Sequence, residues 1–265
     1  MASRAQIIAT IGPASGTADI IAQMVENGMD AARLNFSHGT YEEHANYIRA
    51  IQSVGEALGR VIPIIQDLSG PRMKTGEGHQ FDQSKEMLTE KDVADLAFGL
   101  EHGITHVAQS YVGTADDIGL LRSHIEKSGK RVPVIAKIER EEAVVNFDEI
   151  LAAADAVMIA RGDLGLAEPI EEIPFIQRDL TARANRAQKP VITATQMLLS
   201  MTENPMPTRA EVTDVVFAIL AGSDALMLSE ETARGKHPLE AIMVMERVMA
   251  RAEKNDPSGA RNVLS

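Results

Sequence analysis

Short apolar runs rich in β-branched residues alternate with longer amphipathic stretches almost from end to end of the chain. The runs predict strands at Gln6–Thr10, Ala31–Asn35, Ile62–Asp67, His106–Ser110, Val134–Ile138, Ala156–Ala160, Val191–Thr193 and Ala225–Leu228. The amphipathic stretches predict helices at Ala18–Asn27, Glu42–Leu58, Glu90–Glu101 and Ala115–Lys127. Further helices are predicted at Glu141–Ala153, Pro174–Gln188, Ala210–Ala221 and Pro238–Ala252. Strict alternation of strand and helix implies a parallel sheet with right-handed crossovers. Eight such units imply an α/β fold closed into a (β/α)8 barrel of the TIM type, read here as one domain over residues 1–265. Thr89-Glu90-Lys91-Asp92 reads as a helix cap with an acid at the third position. Gly28, Gly103, Gly129 and Gly222 each follow a helical run, where a left-handed residue ends a helix. Gly76–Lys85 breaks the rhythm: it is polar and reads as a long loop after the third strand.

Composition narrows the functions available. A net charge of −12 argues against nucleic acid or an anionic membrane as the main partner, although a local basic pocket still suits an anionic small molecule. With no cysteine, neither disulfides nor thiol chemistry are available. No apolar run is long enough for a membrane span and the N-terminus lacks signal-peptide character, so a cytoplasmic protein is expected. The core must be aliphatic, since tryptophan is absent.

In such a barrel the active site forms at the C-terminal ends of the strands. Lys137 and Glu139 stand two apart at one strand end, so they point to the same side. Gly162-Asp163-Leu164-Gly165, expected to end the next strand, brings a second carboxylate beside Glu139. Two carboxylates from adjacent strands suit Mg²⁺ or Mn²⁺, and the lysine beside them suits an enolate or a transferring phosphoryl group. A structural salt bridge among the three is the plainer alternative. Thr195 offers a hydroxyl for a substrate carboxylate or a proton relay, or else caps a helix. Arg33, with Asn35, Ser37 and His38 after it, makes a phosphate or carboxylate grip. His38 reads as a loop residue or nucleotide contact rather than a metal ligand.

At these positions the chain resembles the pyruvate kinase family. The stretches that carry the likeness are Ile8–Ser15, Arg33–Gly39, Ile135–Glu139, Met158–Gly165, Lys189–Met197, Pro207–Glu211 and Met227–Ala233, in family order. The resemblance implies a phosphoenolpyruvate/pyruvate-type barrel that moves a phosphoryl group between phosphoenolpyruvate and a nucleoside diphosphate (ADP/ATP). It assigns Lys137 to the phosphoryl group and the enolate, and Glu139 and Asp163 to the divalent metal. It gives the substrate carboxylate to the amides of Gly162 and Asp163 with Thr195, and the phosphoryl surroundings to Arg33 and Ser110. Asn35, Ser37, Asp67 and the Leu68 carbonyl match a monovalent-cation site, and Ser229 a network that delivers the enolate proton. Asn35, His38 and Lys74 fall on the nucleotide side. The family likeness also implies a homodimer through a face that includes Arg161 and Arg209.

Several positions depart from the family pattern. Residues 76–88 stand where the family inserts a lid domain, and the family's C-terminal regulatory domain is expected to have no counterpart. Arg72 stands where glutamate or lysine alternate, so its charge is expected to substitute for K⁺, which would then be dispensable. Ser69, Lys74, Glu43 and Glu230 also differ from the usual residues. The metal and enolate half is intact while the nucleotide half is altered. A metal-dependent lyase or decarboxylase acting on oxaloacetate or a related 2-keto acid is therefore the alternative, and a non-catalytic ligand-binding relic a third.

Overall fold

The computed structural model describes residues 3–75 and 78–255. In chain order the first elements are β1 (Gln6–Thr10), α1 (Ala18–Glu26), β2 (Met29–Asn35), α2 (Tyr41–Ala57) and β3 (Ile64–Asp67). A two-stranded hairpin follows, β4 (Arg72–Thr75) and β5 (Gly78–Phe81), and then α3 (Glu90–His102), β6 (His106–Gln109) and α4 (Ala115–Lys127). Next come β7 (Val134–Ile138), α5 (Glu141–Val145), α6 (Phe147–Ala153), β8 (Ala156–Ala160), α7 (Arg161–Ala167) and α8 (Ile173–Arg186). The last are β9 (Val191–Ala194), a 3-10 turn at Leu199–Thr202, α9 (Arg209–Ala221), β10 (Ala225–Leu228), α10 (Glu230–Ala233) and α11 (Pro238–Glu253).

All strands but the hairpin pair join one closed parallel barrel in the order β1-β10-β9-β8-β7-β6-β3-β2. The (β/α)8 barrel expected from periodicity is thus the fold. Its interior is an aliphatic plug of Ile8, Ala31, Ile65, Ala108, Ile135, Met158, Ile192 and Met227, with their neighbours. A second, larger apolar shell packs the outward strand faces against the helices. The period of two along each strand then decides what stands above the plug. Two residues beyond Ile8, Ala31, Ile65, Ala108, Ile135 and Met227 come Thr10, Arg33, Asp67, Ser110, Lys137 and Ser229. One polar layer therefore caps the apolar plug at the C-terminal end of the barrel.

The caps behave as their residues require. Thr89 and Asp92 form a reciprocal capping box on α3, as do Thr40 with Glu43 on α2 and Thr208 with Glu211 on α9. Gly28, Gly103, Gly129 and Gly222 all have positive φ, the conformation that a side chain disfavours. Three expectations need correction. The stretch expected as one helix over Glu141–Ala153 is broken at Asn146, whose side-chain amide leaves the helix to donate to the Gly113 carbonyl at 2.9 Å. Arg161–Ala167 is not a strand end but a short helix, so Asp163 reaches the site from its first turn. Within the segment Gly76–Lys85 read as a loop, Gly78–Phe81 is a strand that pairs with the preceding Arg72–Thr75, Arg72 opposite Phe81 and Lys74 opposite His79, while residues 82–85 are turn; Gly76 and Glu77 lie outside the described residues. No helix among the described residues is long and apolar enough to cross a membrane.

Candidate active site

The polar layer at the barrel mouth is an ion-pair network. Arg33 Nε donates to Asp67 Oδ2 at 2.7 Å, and Lys137 Nζ stands 3.1 Å from Asp67 Oδ1 and 2.9 Å from Glu139 Oε1. Lys137 Nζ also donates to Ser110 Oγ at 2.7 Å, and that hydroxyl in turn donates to the Leu68 carbonyl at 2.7 Å. All four charged side chains are buried, with Asp67 only 1 % exposed. Burial alone works against the Lys137 ammonium, but Asp67 and Glu139 outweigh it and hold the lysine protonated above its ordinary range. Burial likewise pushes the Asp67 carboxyl up, yet Lys137 and Arg33 together bring it below the usual carboxylate value. Glu139 moves upward: burial raises it, Lys137 opposes, and the nearby Asp163 carboxylate adds to the rise.

A cavity of about 670 Å³ opens over this layer. Its walls include Thr10, Arg33, Asn35, His38, Arg72, His79, Lys137, Glu139, Gly162, Asp163, Thr195 and Ser229. Most of the positions singled out from sequence therefore meet at one surface. Ser37, Asp67, Leu68 and Ser110 do not line the cavity; Asp67, Leu68 and Ser110 support its floor through the hydrogen bonds above. Lys74 lies on β4, and its side chain is outside the described residues.

Thr195 does not cap the element that follows it in the chain; its hydroxyl serves a first-turn amide of α7 instead. That hydroxyl accepts from the Gly162 N–H at 2.7 Å and donates to the Ala194 carbonyl at 2.6 Å. Thr195 has φ +70° and Gln196 φ +55°. A β-branched residue in that region is strained by about 1–3 kcal/mol and persists only where its surroundings impose it. Here Arg161 imposes it, gripping the Thr195 carbonyl at 2.8 Å and Asp214 at 2.6 Å. Ser229 Oγ and Ser37 Oγ are buried without a hydrogen-bond partner among the described residues. Asn35 Oδ1 accepts from the Ser37 N–H at 3.1 Å, which ties that loop down. His38 is exposed at the cavity rim; burial, Arg72 and Arg33 hold its imidazole below the ordinary value. Arg72 donates from Nε to the Ser69 carbonyl at 2.7 Å and lies 5.7 Å from the Tyr111 ring centroid.

Sequence reasoning missed three participants. Tyr111 donates its N–H to Glu139 Oε2 at 2.7 Å, and its hydroxyl stands 3.5 Å from Asp163 Oδ1. Thr10 Oγ1 accepts from Arg33 Nη1 at 3.0 Å. His79, on β5, lies 3.4 Å from Asp163. Thr10 is the last residue of β1 and Tyr111 lies two residues past β6, so the period of two from Ile8 points to Thr10. Nothing in the sequence flags His79.

The family model for "Pyruvate kinase, barrel domain" matches residues 2–87 and 82–242. The chain belongs to the pyruvate kinase family. The pyruvate kinase of Thermococcus litoralis is 39 % identical over 332 positions, taking in 95 % of this chain and 70 % of that protein. That of Mycobacterium tuberculosis is 35 % identical over 96 % of this chain and 71 % of its own length, and that of Geobacillus stearothermophilus 37 % over 96 % and 58 %. The 332 aligned positions exceed the 265 residues here by 67, so at least that many positions of the first pyruvate kinase face a gap. The two matched segments of the family model meet at residues 82–87, next to the β4–β5 hairpin.

Proposed function

We propose that this chain transfers the phosphoryl group of phosphoenolpyruvate to a nucleoside diphosphate, leaving pyruvate. The observation that carries this reading is the buried network of Lys137, Arg33 and Ser110 beneath a cavity whose lining includes Glu139 and Asp163. Phosphoryl transfer asks mainly for positioning and charge neutralisation. Arg33 and Ser110 suit the phosphoryl oxygens, and Lys137 suits both the phosphoryl group and the enolate oxygen exposed when the P–O bond to it breaks. The amides of Gly162 and Asp163 with Thr195 would grip the substrate carboxylate, and the strained Thr195 backbone supports a role that constrains it. Ser229, its hydroxyl unpartnered among the described residues, is the candidate to pass a proton to the enolate carbon. Asn35, His38 and Lys74 fall on the nucleotide side, with the β4–β5 hairpin standing where relatives carry a lid.

The donor set fits a divalent cation. The Asp163 carboxylate makes Glu139 harder to ionise, and a cation held by the two would relieve that. They would hold Mg²⁺ or Mn²⁺, which when bound draws charge from the phosphoryl and enolate oxygens. The positions Asn35, Ser37, Asp67 and Leu68 would take a monovalent cation, with Arg72 as its internal substitute.

Purified protein with Mn²⁺, phosphoenolpyruvate and ADP, followed by ³¹P and ¹H NMR, should form pyruvate and ATP without added potassium. Folded protein that forms no pyruvate with ADP, yet releases CO₂ from oxaloacetate without it, would select the lyase instead. Strong activation on titrating K⁺ would remove the role given to Arg72.

We also propose a homodimer. Leu166, Ile170 and Phe175 stand 69 %, 80 % and 57 % exposed within ten residues of chain at the junction of α7 and α8, beside the expected face near Arg161. An apolar cluster of that kind marks an interaction site. Light scattering should give twice the chain mass for the parent and a monomer for Ile170→Asp/Phe175→Arg. A parent that is monomeric at working concentration contradicts the proposal.

A further inference from the structure

Glu139 is held by both of its oxygens before any substrate arrives. Oε1 faces Lys137 Nζ at 2.9 Å, and Oε2 accepts the Tyr111 N–H at 2.7 Å. The second contact comes from a residue in an unfavourable conformation: Tyr111 has φ +57°, the left-handed region that a bulky side chain disfavours. Such a backbone persists only where its surroundings impose it, and here it aims an N–H at a buried carboxylate.

The β4–β5 hairpin supplies those surroundings. Arg72 and Phe81 stand opposite one another across its two strands, and both meet the Tyr111 ring. The Phe81 ring centroid lies 5.5 Å from that of Tyr111, and the Arg72 guanidinium 5.7 Å from the same centroid. Gly70, at φ +65°, brings the chain before the hairpin against that ring: a Cβ there would stand 3.0 Å from it. Phe81 also carries the Arg140 guanidinium 4.1 Å over its ring. Arg140 follows Glu139 directly in the chain, and Gly113 leaves room for it, since a Cβ there would collide with the guanidinium. One hairpin side chain thus grips both the donor to Glu139 and the residue next to Glu139.

We propose that Tyr111 is a positioning residue for Glu139, and that the hairpin acts on the site through it. Docking of Phe81 and Arg72 holds the Tyr111 turn, the turn directs the N–H, and the N–H fixes the carboxylate at the cavity wall. A misplacement of about 1 Å caused by a distant substitution can cost 10²-fold in rate. The consequence for turnover rests on the phosphoryl transfer proposed above; the coupling of hairpin to carboxylate does not.

The chain has three tyrosines, so ¹⁵N-tyrosine labelling gives three amide signals, and Tyr111→Phe identifies that of Tyr111 by its loss. A hydrogen bond to a carboxylate should place this amide proton downfield, and Glu139→Gln should move it upfield. Phe81→Ala should move it the same way and leave the Tyr41 and Tyr47 signals in place. In Glu139→Gln protein, Phe81→Ala should add far less than it does in the parent. An amide unmoved by Phe81→Ala overturns the proposal. So does an equal shift in both backgrounds, which would report only the loss of a nearby ring. Phe81→Leu keeps apolar bulk; it should give a smaller shift in the same direction and takes the place of the alanine variant if that does not fold. In turnover, Phe81→Ala should lower kcat about 10-fold or more while KM for phosphoenolpyruvate moves less. Parental kcat in folded Phe81→Ala protein overturns the proposal as well. Where the parent forms no pyruvate, the amide shifts still decide the coupling, so the two readings fail separately.

Discussion

Lys137→Met should lower kcat by about 10²-fold or more, the typical loss on removing one preorganised stabiliser of a developing negative charge. Methionine keeps much of the bulk of lysine and none of its charge. The ammonium stands 2.7 Å from Ser110 Oγ and 2.9 Å from Glu139, fixed from two sides before any substrate arrives. Such a charge acts on the transition state without reorganising, so KM should move far less than kcat. Mn²⁺ affinity should hold or rise, since a neighbouring cation is gone. The same substitution leaves Asp67 with Arg33 alone, so a thermal melt must accompany the kinetics. Near-parental kcat in a folded Lys137→Met protein ends the mechanism proposed for this lysine.

Why the barrel was legible while parts of its rim were not follows from how each is stabilised. The strands are written as apolar runs because both faces of each are buried, and four of the eight match residue for residue. The boundary at Ile62–Asp67 slipped because Pro63 has no N–H: its carbonyl accepts from Ala32, but the ladder counts as strand only from Ile64. The placement of Lys137 and Glu139 on one side of their strand was legible from the period of two, whereas the role of Ser229 came from the family likeness. The hairpin was not, because Arg-Met-Lys-Thr and Gly-His-Gln-Phe carry no alternating apolar face. Its stability comes from Phe81 meeting Tyr111 and Arg140, which lie far along the chain. Thr195 shows the same limit. Threonine favours extended backbone, and the left-handed turn is held by contacts from elsewhere in the chain, Arg161 on its carbonyl and the Gly162 N–H on its hydroxyl.

Asp67→Asn should cost the fold about 3–5 kcal/mol, the usual penalty for removing one partner from a buried ion pair. Asparagine preserves size but leaves Arg33 and Lys137 buried with Glu139 as the remaining carboxylate of the network. The two cations already repel, since Arg33 works against protonation of Lys137. At roughly 2–4 °C per kcal/mol for a chain of this size, the melting temperature should fall by about 6–20 °C. The pH dependence follows from the direction of the shift. Asp67 titrates below its ordinary value of 3.8, so its contribution is complete above that value and is lost as pH falls through the folded-state value. Parental stability should therefore drop on acidification below about pH 4, where the unfolded carboxyl takes up its proton first. The variant has no such carboxyl, so its melting temperature should depend less on pH over that range. Calorimetric melts between acid and neutral pH measure both effects. An Asp67→Asn protein that melts within a degree or two of the parent at neutral pH would show that Arg33 and Lys137 do not need this counter-charge, and the network described at the barrel mouth would have to be redrawn.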